Sequence, residues 1–400
     1  MTADGAALRR CVGEPGAFLD RHWGREPLLH HDQDRFDGLL DVGDVDHLVT
    51  GTLLRMPSFR LVRDGAPLEP SSYTQTIRIG GRPVERTVRP DRVMAEFADG
   101  ATIVLQALHR QWPPVARFCR DLELSLTHPV QANAYVTPPT ARGFAVHHHT
   151  HDVFVLQTKG RKRWRVYRPL IDLPGPEQPW KESLGDPGSP LLEAELEPGD
   201  ALYLPRGFPH DAEAQEEVSI HVTIGVLAHT WLDLWRHVFR RAAEHRPFRD
   251  ALPPGFAGDP EALTAELGVR LKDLHHWLDR AVDGDAVAAF SKAFWSRRRP
   301  LLSGQLHQLE AARRMEAGTA CRRRPGAVFV VAVEEKEAVV SLGLRELRMP
   351  AFCETALRFV ADARERFRPS DLPGLDEPSR LVLARRLVRE GAVEVVDAGG

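Results

Sequence analysis

The chain has 400 residues, 42% apolar and 27% charged, with 53 Lys and Arg against 56 Asp and Glu for a formal charge of −3. That length suits about two or three domains of ordinary globular composition, and the near-balanced charge excludes a global electrostatic reason to bind nucleic acid or an anionic membrane. No apolar run approaches the roughly 20 residues that span a bilayer. The first residues lack the apolar core of a signal peptide, and Cys11, Cys119, Cys321 and Cys353 are scattered without a paired motif. A cytoplasmic protein with reduced thiols is expected.

Up to residue 125 the pattern mixes short helices with strands. Residues 17–23 are amphipathic and stop at Gly24; residues 77–88 alternate about a Gly80-Gly81 turn and predict a hairpin. Residues 115–126 repeat apolar side chains at helical spacing, with Val115, Phe118, Cys119, Leu122 and Leu126 on one stripe. From 130 to 226 short apolar runs (153–157, 163–167, 201–204, 218–224) alternate with turn signals at Gly160, Pro198-Gly199-Asp200 and Pro205-Arg206-Gly207. That spacing predicts a jelly-roll of strands rather than alternating βα units.

After His229 the period becomes helical. One stripe holds Trp231, Leu232, Leu234, Trp235, Val238 and Phe239, another Leu271, Leu274, Trp277 and Leu278, and a third Val287, Phe290, Phe294 and Trp295. These stripes are read as intramolecular core, with a dimer interface as the alternative. Strands follow at 327–333 and 338–342, helices at 350–361 and 377–390, and a last strand at 392–396, an order that suggests a winged helix. The last helix sets Arg380, Arg385, Arg386 and Arg389 against Glu377 and Glu390, a solvated face rather than a nucleic-acid surface.

The chemistry concentrates in residues 143–167 and 196–210. The first stretch reads Gly143-Phe-Ala-Val-His-His-His-Thr-His-Asp ahead of an apolar strand; the second ends in Pro205-Arg-Gly-Phe-Pro-His. In a strand, residues i and i+2 share a face, so His147, His149 and His151 would point one way and His148, Thr150 and Asp152 the other. Such a pair can chelate one ion, and His210 can complete the set from across the barrel. Three ligands on one face leave open positions on an octahedral ion, as non-haem Fe(II) requires.

These residues resemble the JmjC/cupin-like 2-oxoglutarate oxygenases, and within them the ribosomal oxygenase branch. The resemblance also rests on Phe18-Leu-Asp-Arg-His-Trp-Gly-Arg-Glu-Pro-Leu-Leu and Asn133-Ala-Tyr-Val-Thr-Pro-Pro, and it covers most of the chain. It implies an α+β architecture: a double-stranded β-helix (jelly-roll) barrel with an N-terminal α/β elaboration over 1–227, a helical dimerisation region over 228–315, and a winged-helix-like domain over 316–400. It further implies a homodimer that uses Fe(II) and 2-oxoglutarate to hydroxylate a protein or peptide side chain, with a ribosomal protein as one target class. A natural-product intermediate is equally compatible with the residues. The family's metal ligands fall on His147, position 149 and His210, and its co-substrate cation on Lys162, whose ammonium suits a distal carboxylate. Asn133, Tyr135, Thr137, Ser219, His221 and Thr223 fall on pocket-lining positions. Beyond the metal ligands no catalytic residue is required, since metal and co-substrate carry the chemistry.

One departure matters. The family's carboxylate ligand is His149 here, and strand alternation turns Asp152 away unless a bulge intervenes. Three readings follow: an oxygenase with one negative charge fewer at its metal; a three-histidine centre for another metal or for a dioxygenase that needs no 2-oxoglutarate; or an inactive barrel kept for binding.

Overall fold

The computed structural model describes residues 5–139, 141, 145–282 and 284–396; Gly143 and Phe144, at the head of the histidine stretch, lie outside them. The chain divides into two compact units, Met1–Ala228 and His229–Gly400. Among the described residues no helix is long and apolar enough to cross a membrane.

The first unit opens with α1 (Ala6–Val12), α2 (Pro15–Arg21), β1 (Leu28–His31) and α3 (Val42–Thr50). It continues through β2 (Phe59–Arg63), β3 (Ala66–Pro67), the hairpin β4 (Thr74–Ile79) and β5 (Arg82–Val88), α4 (Pro90–Ala98), β6 (Thr102–Leu105) and α5 (Pro113–Leu126). Both the hairpin and the helix over 115–126 are present as their periodicities predict, and α5 begins slightly earlier because proline fits the first helical turn. Seven strands complete the unit: β7 (Val130–Thr137), β8 (Asp152–Lys159), β9 (Lys162–Val166), β10 (Leu192–Leu196), β11 (Asp200–Leu204), β12 (His210–Ala214) and β13 (Ser219–Val226).

These strands form two antiparallel sheets, β1-β11-β8-β13-β7-β6-β2-β3 and β10-β9-β12. Period-two alternation decides what each face touches. Ala132, Ala134, Phe154, Leu156, Tyr203, Ile220, Val222 and Ile224 join Leu8, Phe18, Val115 and Leu122 of the helices in the main core. On the other face, Val153, Val155, Leu202 and Leu204 meet Trp164, Val166, Leu196 and Phe208 in a second core between the sheets. The result is a cupin-like β-sandwich in an α+β chain. β13 is buried along its whole length because β7 and β8 flank it and both its faces are covered. Gly199 shows why the predicted turn needs glycine: its φ is +109°, and a Cβ there would lie 2.8 Å from His31 Cε1.

The second unit contains α6 (Trp231–Arg240), α7 (Pro260–Ala281), α8 (Gly284–Trp295) and α9 (Gln305–Arg313). After them come β14 (Cys321–Arg323), β15 (Val330–Glu334), β16 (Glu337–Ser341), β17 (Glu346–Pro350), α10 (Glu354–Asp362), α11 (Glu377–Arg389) and β18 (Val393–Val395). Phe329, Val340, Leu357, Val360, Leu387 and Val388 build its main core. β15 starts later than the alternation at 327–333 predicts. β17 is an edge strand the sequence reading lacks, because only Leu347 and Met349 carry an apolar signal there; Arg348, paired with Glu334 and Glu337, blunts the edge.

The first helical stripe corrects an expectation. Val238 of α6 is buried beside Trp277 and Ala281, but Trp231 is 77% exposed, Leu232 55% and Phe239 43%. Periodicity gives α6 its apolar stripe but not a layer to cover it, so on that face only Val238 is fully buried, with Phe239 stacked at the edge on Trp277.

Candidate metal centre

His147 and His210 are brought together by the backbone. They form an isolated antiparallel bridge in which His147 N–H donates to His210 O (3.2 Å) and His210 N–H to His147 O (2.9 Å). His149 is held by Gly207 N–H, which donates to its carbonyl at 3.0 Å. The three rings form a triangle with centroids 4.7 Å (147–210), 5.0 Å (147–149) and 5.1 Å (149–210) apart. One ring nitrogen from each lies within 4.8 Å of the others.

The regular strand expected through these histidines is absent. β8 begins only at Asp152, and residues 147–151 are irregular apart from the bridge at His147, yet His147, His149 and His151 still gather together while His148 and Asp152 turn away from them. His151 stacks flat on His149, centroids 4.9 Å apart and planes 6° apart, outside the triangle. His148 is buried with Nε2 3.1 Å from Gln178 O and its ring edge-on to Trp180. Asp152 is committed elsewhere: its carboxylate accepts from Arg206 N–H (3.1 Å), Arg206 Nη1 (3.4 Å) and Tyr203 Oη (3.4 Å).

Electrostatics keep the triangle neutral. Burial, followed by the His147 charge, pushes His210 down to about 3. Burial and then the His210 charge hold His149 well below the ordinary imidazole value, and burial lowers His147. The carbonyls of Ala145 and Phe208 lie 2.8 and 3.0 Å from Nδ1 of His147 and His210. A carbonyl only accepts, so each Nδ1 carries the proton and each Nε2 keeps a lone pair, the form that ligates a cation.

Beside the triangle is a cavity of about 560 Å³, its open mouth included, lined among others by Tyr135, Thr137, Lys162, Trp164, His221 and Thr223. Lys162, only 3% exposed, donates to Thr137 Oγ1 at 3.1 Å, and burial without a counter-charge lowers its ammonium to about 7. His221 stacks on Tyr135 (4.8 Å, 7°) and meets Trp164 edge-on. Among the described residues His221 Nδ1 and Trp164 Nε1 are buried without a hydrogen-bond partner. A buried ammonium with uncommitted polar atoms around it fits a small anionic ligand. Asn133 and Ser219 do not line the cavity: Asn133 Oδ1 accepts from Ala107 N–H (3.0 Å) and Ser219 Oγ from Gln157 Nε2 (2.9 Å). The sequence reading missed Trp164 and Asp211 as lining residues; the i+2 spacing of Lys162 and Trp164 was the available signal.

Residues 107–234 match the model of the JmjC domain. Ribosomal oxygenase 1 of Rattus norvegicus is 34% identical over 255 residues, 60% of this chain and 41% of that protein. The Gallus gallus protein of the same name is 31% identical over 67% of this chain and 46% of its own length. Residues 107–234 thus resemble a JmjC domain, and the chain is similar to the ribosomal oxygenases. A further relative, the bifunctional lysine-specific demethylase and histidyl-hydroxylase NO66 of Culex quinquefasciatus, is 32% identical over 59% of this chain and 37% of its own. The chain thus spans less than half the length of these curated relatives. In fold, this chain is similar to the Escherichia coli ribosomal oxygenase YcfD, with a TM-score of 0.54 at 18% identity over 96% of this chain and 98% of that one. A second YcfD structure, in complex with cobalt and 2-oxoglutarate, matches with a TM-score of 0.51 at 18% identity, covering 94% and 97%.

Proposed function

We propose that this chain is an Fe(II)-dependent, 2-oxoglutarate-using oxygenase that hydroxylates a protein or peptide side chain, with histidine in the place of the carboxylate ligand. His147, His149 and His210 would hold the metal. Lys162, assisted by Thr137, would receive the distal carboxylate of the co-substrate, while His221, Tyr135 and Trp164 wall its site. Asn133 and Ser219 would support that wall through their bonds to Ala107 and Gln157. When bound, iron and 2-oxoglutarate supply the oxidation, in which O₂ is reduced, the co-substrate becomes succinate and CO₂, and one oxygen enters the substrate. The chain's own residues bind and orient, exclude water and hold neutral imidazoles toward the cation.

The observation that carries this reading is the pairing of a neutral three-histidine triangle with a buried, uncompensated ammonium in one cavity. A three-histidine dioxygenase without 2-oxoglutarate has no use for that ammonium, which costs stability. The names of the relatives, ribosomal oxygenase and histidyl-hydroxylase, point to a histidine side chain of a ribosomal protein as the first substrate to test. The exposed stripe on α6 supports a helical dimerisation region over 228–315 and a homodimer, with the jelly-roll over 1–227 and a winged-helix-like domain over 316–400. A cytoplasmic location and the absence of a nucleic-acid partner belong to the same reading.

Anaerobic titration of the purified protein with Fe(II) and then 2-oxoglutarate tests it. A visible charge-transfer band that needs both additions is the expected result. No band in the wild type, with a band in His149→Asp, would mean that position 149 has left the family chemistry and that the barrel is a binder.

A further inference from the structure

The three candidate ligands are not held alike. His147 and His210 each have a backbone carbonyl on Nδ1. Among the described residues His149 has no hydrogen bond at either ring nitrogen; its ring lies against those of His147, His151 and His210. The flattest of these contacts is with His151. A ligand imidazole normally takes its orientation from the partner of its other nitrogen. For His149 that role falls to a face-to-face stack.

The stack itself has a built seat. A Cβ on Gly225 would lie 2.7 Å from His151 Cε1 and 2.9 Å from its Nδ1, so the ring occupies the space that a side chain at 225 would fill. Glycine inside a strand is less stable than alanine there, and close approach of another group is the usual reason for it. Ser219, His221 and Thr223, at the same parity of β13, all carry side chains. Asp152 fixes the start of β8 through Arg206 and Tyr203, and its carbonyl lies 3.2 Å from His151 Nδ1. His151 is therefore fixed from two elements, and its free face lies on His149.

We propose that His151, seated on Gly225, is the positioning residue of His149, replacing by stacking the hydrogen bond that the other two ligands have. The inference rests on the metal-centre reading above. It makes His149 a ligand whose orientation depends on a ring rather than on a carbonyl.

The test titrates the metal-free full chain with Co(II) and follows its visible ligand-field bands. His151→Ala should weaken Co(II) binding about 10-fold or more and change the band shape, as removal of an outer partner of a ligand does. His151→Phe keeps a flat ring without nitrogens and should bring affinity back to within about threefold of wild type. Gly225→Ala, which alters neither histidine, should reproduce the loss in His151→Ala. Wild-type affinity and spectrum in folded His151→Ala and Gly225→Ala would overturn the proposal. So would His151→Phe binding as weakly as His151→Ala, since the ring nitrogen rather than the stack would then be responsible. If His151→Ala does not fold, the contrast between His151→Phe and Gly225→Ala decides. His149→Ala separates the two levels: wild-type Co(II) binding there sinks the three-histidine centre itself, whereas lost binding there with unaffected His151 variants sinks only the stack.

Discussion

β13 presents two opposite surfaces. Ile220, Val222 and Ile224 point into the main core, all fully buried among apolar side chains. One residue out of step, His221 and Thr223 face the space between the sheets, as do Tyr135 and Thr137 of β7 and Lys162 and Trp164 of β9. The first surface is apolar burial, which holds the sandwich together. The second carries a buried ammonium and unpartnered Nδ1 and Nε1 atoms, each of which costs free energy in a protein without ligand. Stability and candidate chemistry are thus separated by the period-two alternation of single strands, and perturbing each side should give opposite signs.

The largest effect should come from the stabilising side. Phe154 is fully buried, packed against Phe18 and Tyr203 with centroids 5.9 and 5.0 Å away. Phe154→Ala should cost about 3–5 kcal/mol of unfolding free energy, from lost transfer plus an unfilled cavity. Folded protein should still bind Co(II) at wild-type stoichiometry. Denaturant melts with parallel metal titration check both; loss of metal binding in a demonstrably folded variant would break the separation.

A smaller effect of opposite sign is expected from Lys162→Met. The apoprotein should gain roughly 1–4 kcal/mol, the range found when buried charged groups give way to apolar ones of similar volume. Affinity for 2-oxoglutarate in the presence of Co(II) should fall about 10- to 100-fold, the loss of a hydrogen bond to a charged group. Calorimetric titration and melts read the two quantities on one sample. A destabilised variant that still binds 2-oxoglutarate would remove Lys162 from the cavity's chemistry and leave it a structural residue.

The same alternation explains how much was legible in the sequence. β8, β9 and the Pro198-Gly199-Asp200 turn advertise themselves locally, by apolar runs and by a glycine whose φ only glycine tolerates easily. His147, His149 and His210 are legible by residue type and family pattern, although the backbone at 148–151 is irregular rather than the expected strand. Residues 147–151 are shaped by bonds from Gly207 and His210, distant in sequence, and no local periodicity encodes those. That His148 turns to Gln178 while His151 stacks on His149 has the same origin. On α6 the periodicity correctly marks an apolar stripe around Trp231 and Phe239, but nothing in a stripe says whether the covering layer is in the same chain.

The smallest effect, and the one that sharpens the comparison most, is its pH dependence. Lys162 titrates near 7 in the folded protein through burial, against an ordinary lysine value near 10.5 when unfolded. Between these values the unfolded chain holds a proton that the folded chain does not, so stability contributed by this group rises with pH and its cost is greatest at and below pH 7. The stability gap between Lys162→Met and wild type should therefore be widest near pH 7 and close toward about pH 10.5. The histidines act in a lower window. His210 is held near 3 and His149 well below its ordinary 6.5 by burial, so the unfolded chain takes up their protons first as pH falls below about 6.5, and apoprotein stability drops there in both wild type and Lys162→Met. Denaturation midpoints at pH 5, 7 and 9 separate the two slopes. Phe154→Ala, on the other face of the sheet, should shift the whole curve down and leave both slopes unchanged, whereas a changed slope would mean that the two faces of these strands are electrostatically coupled.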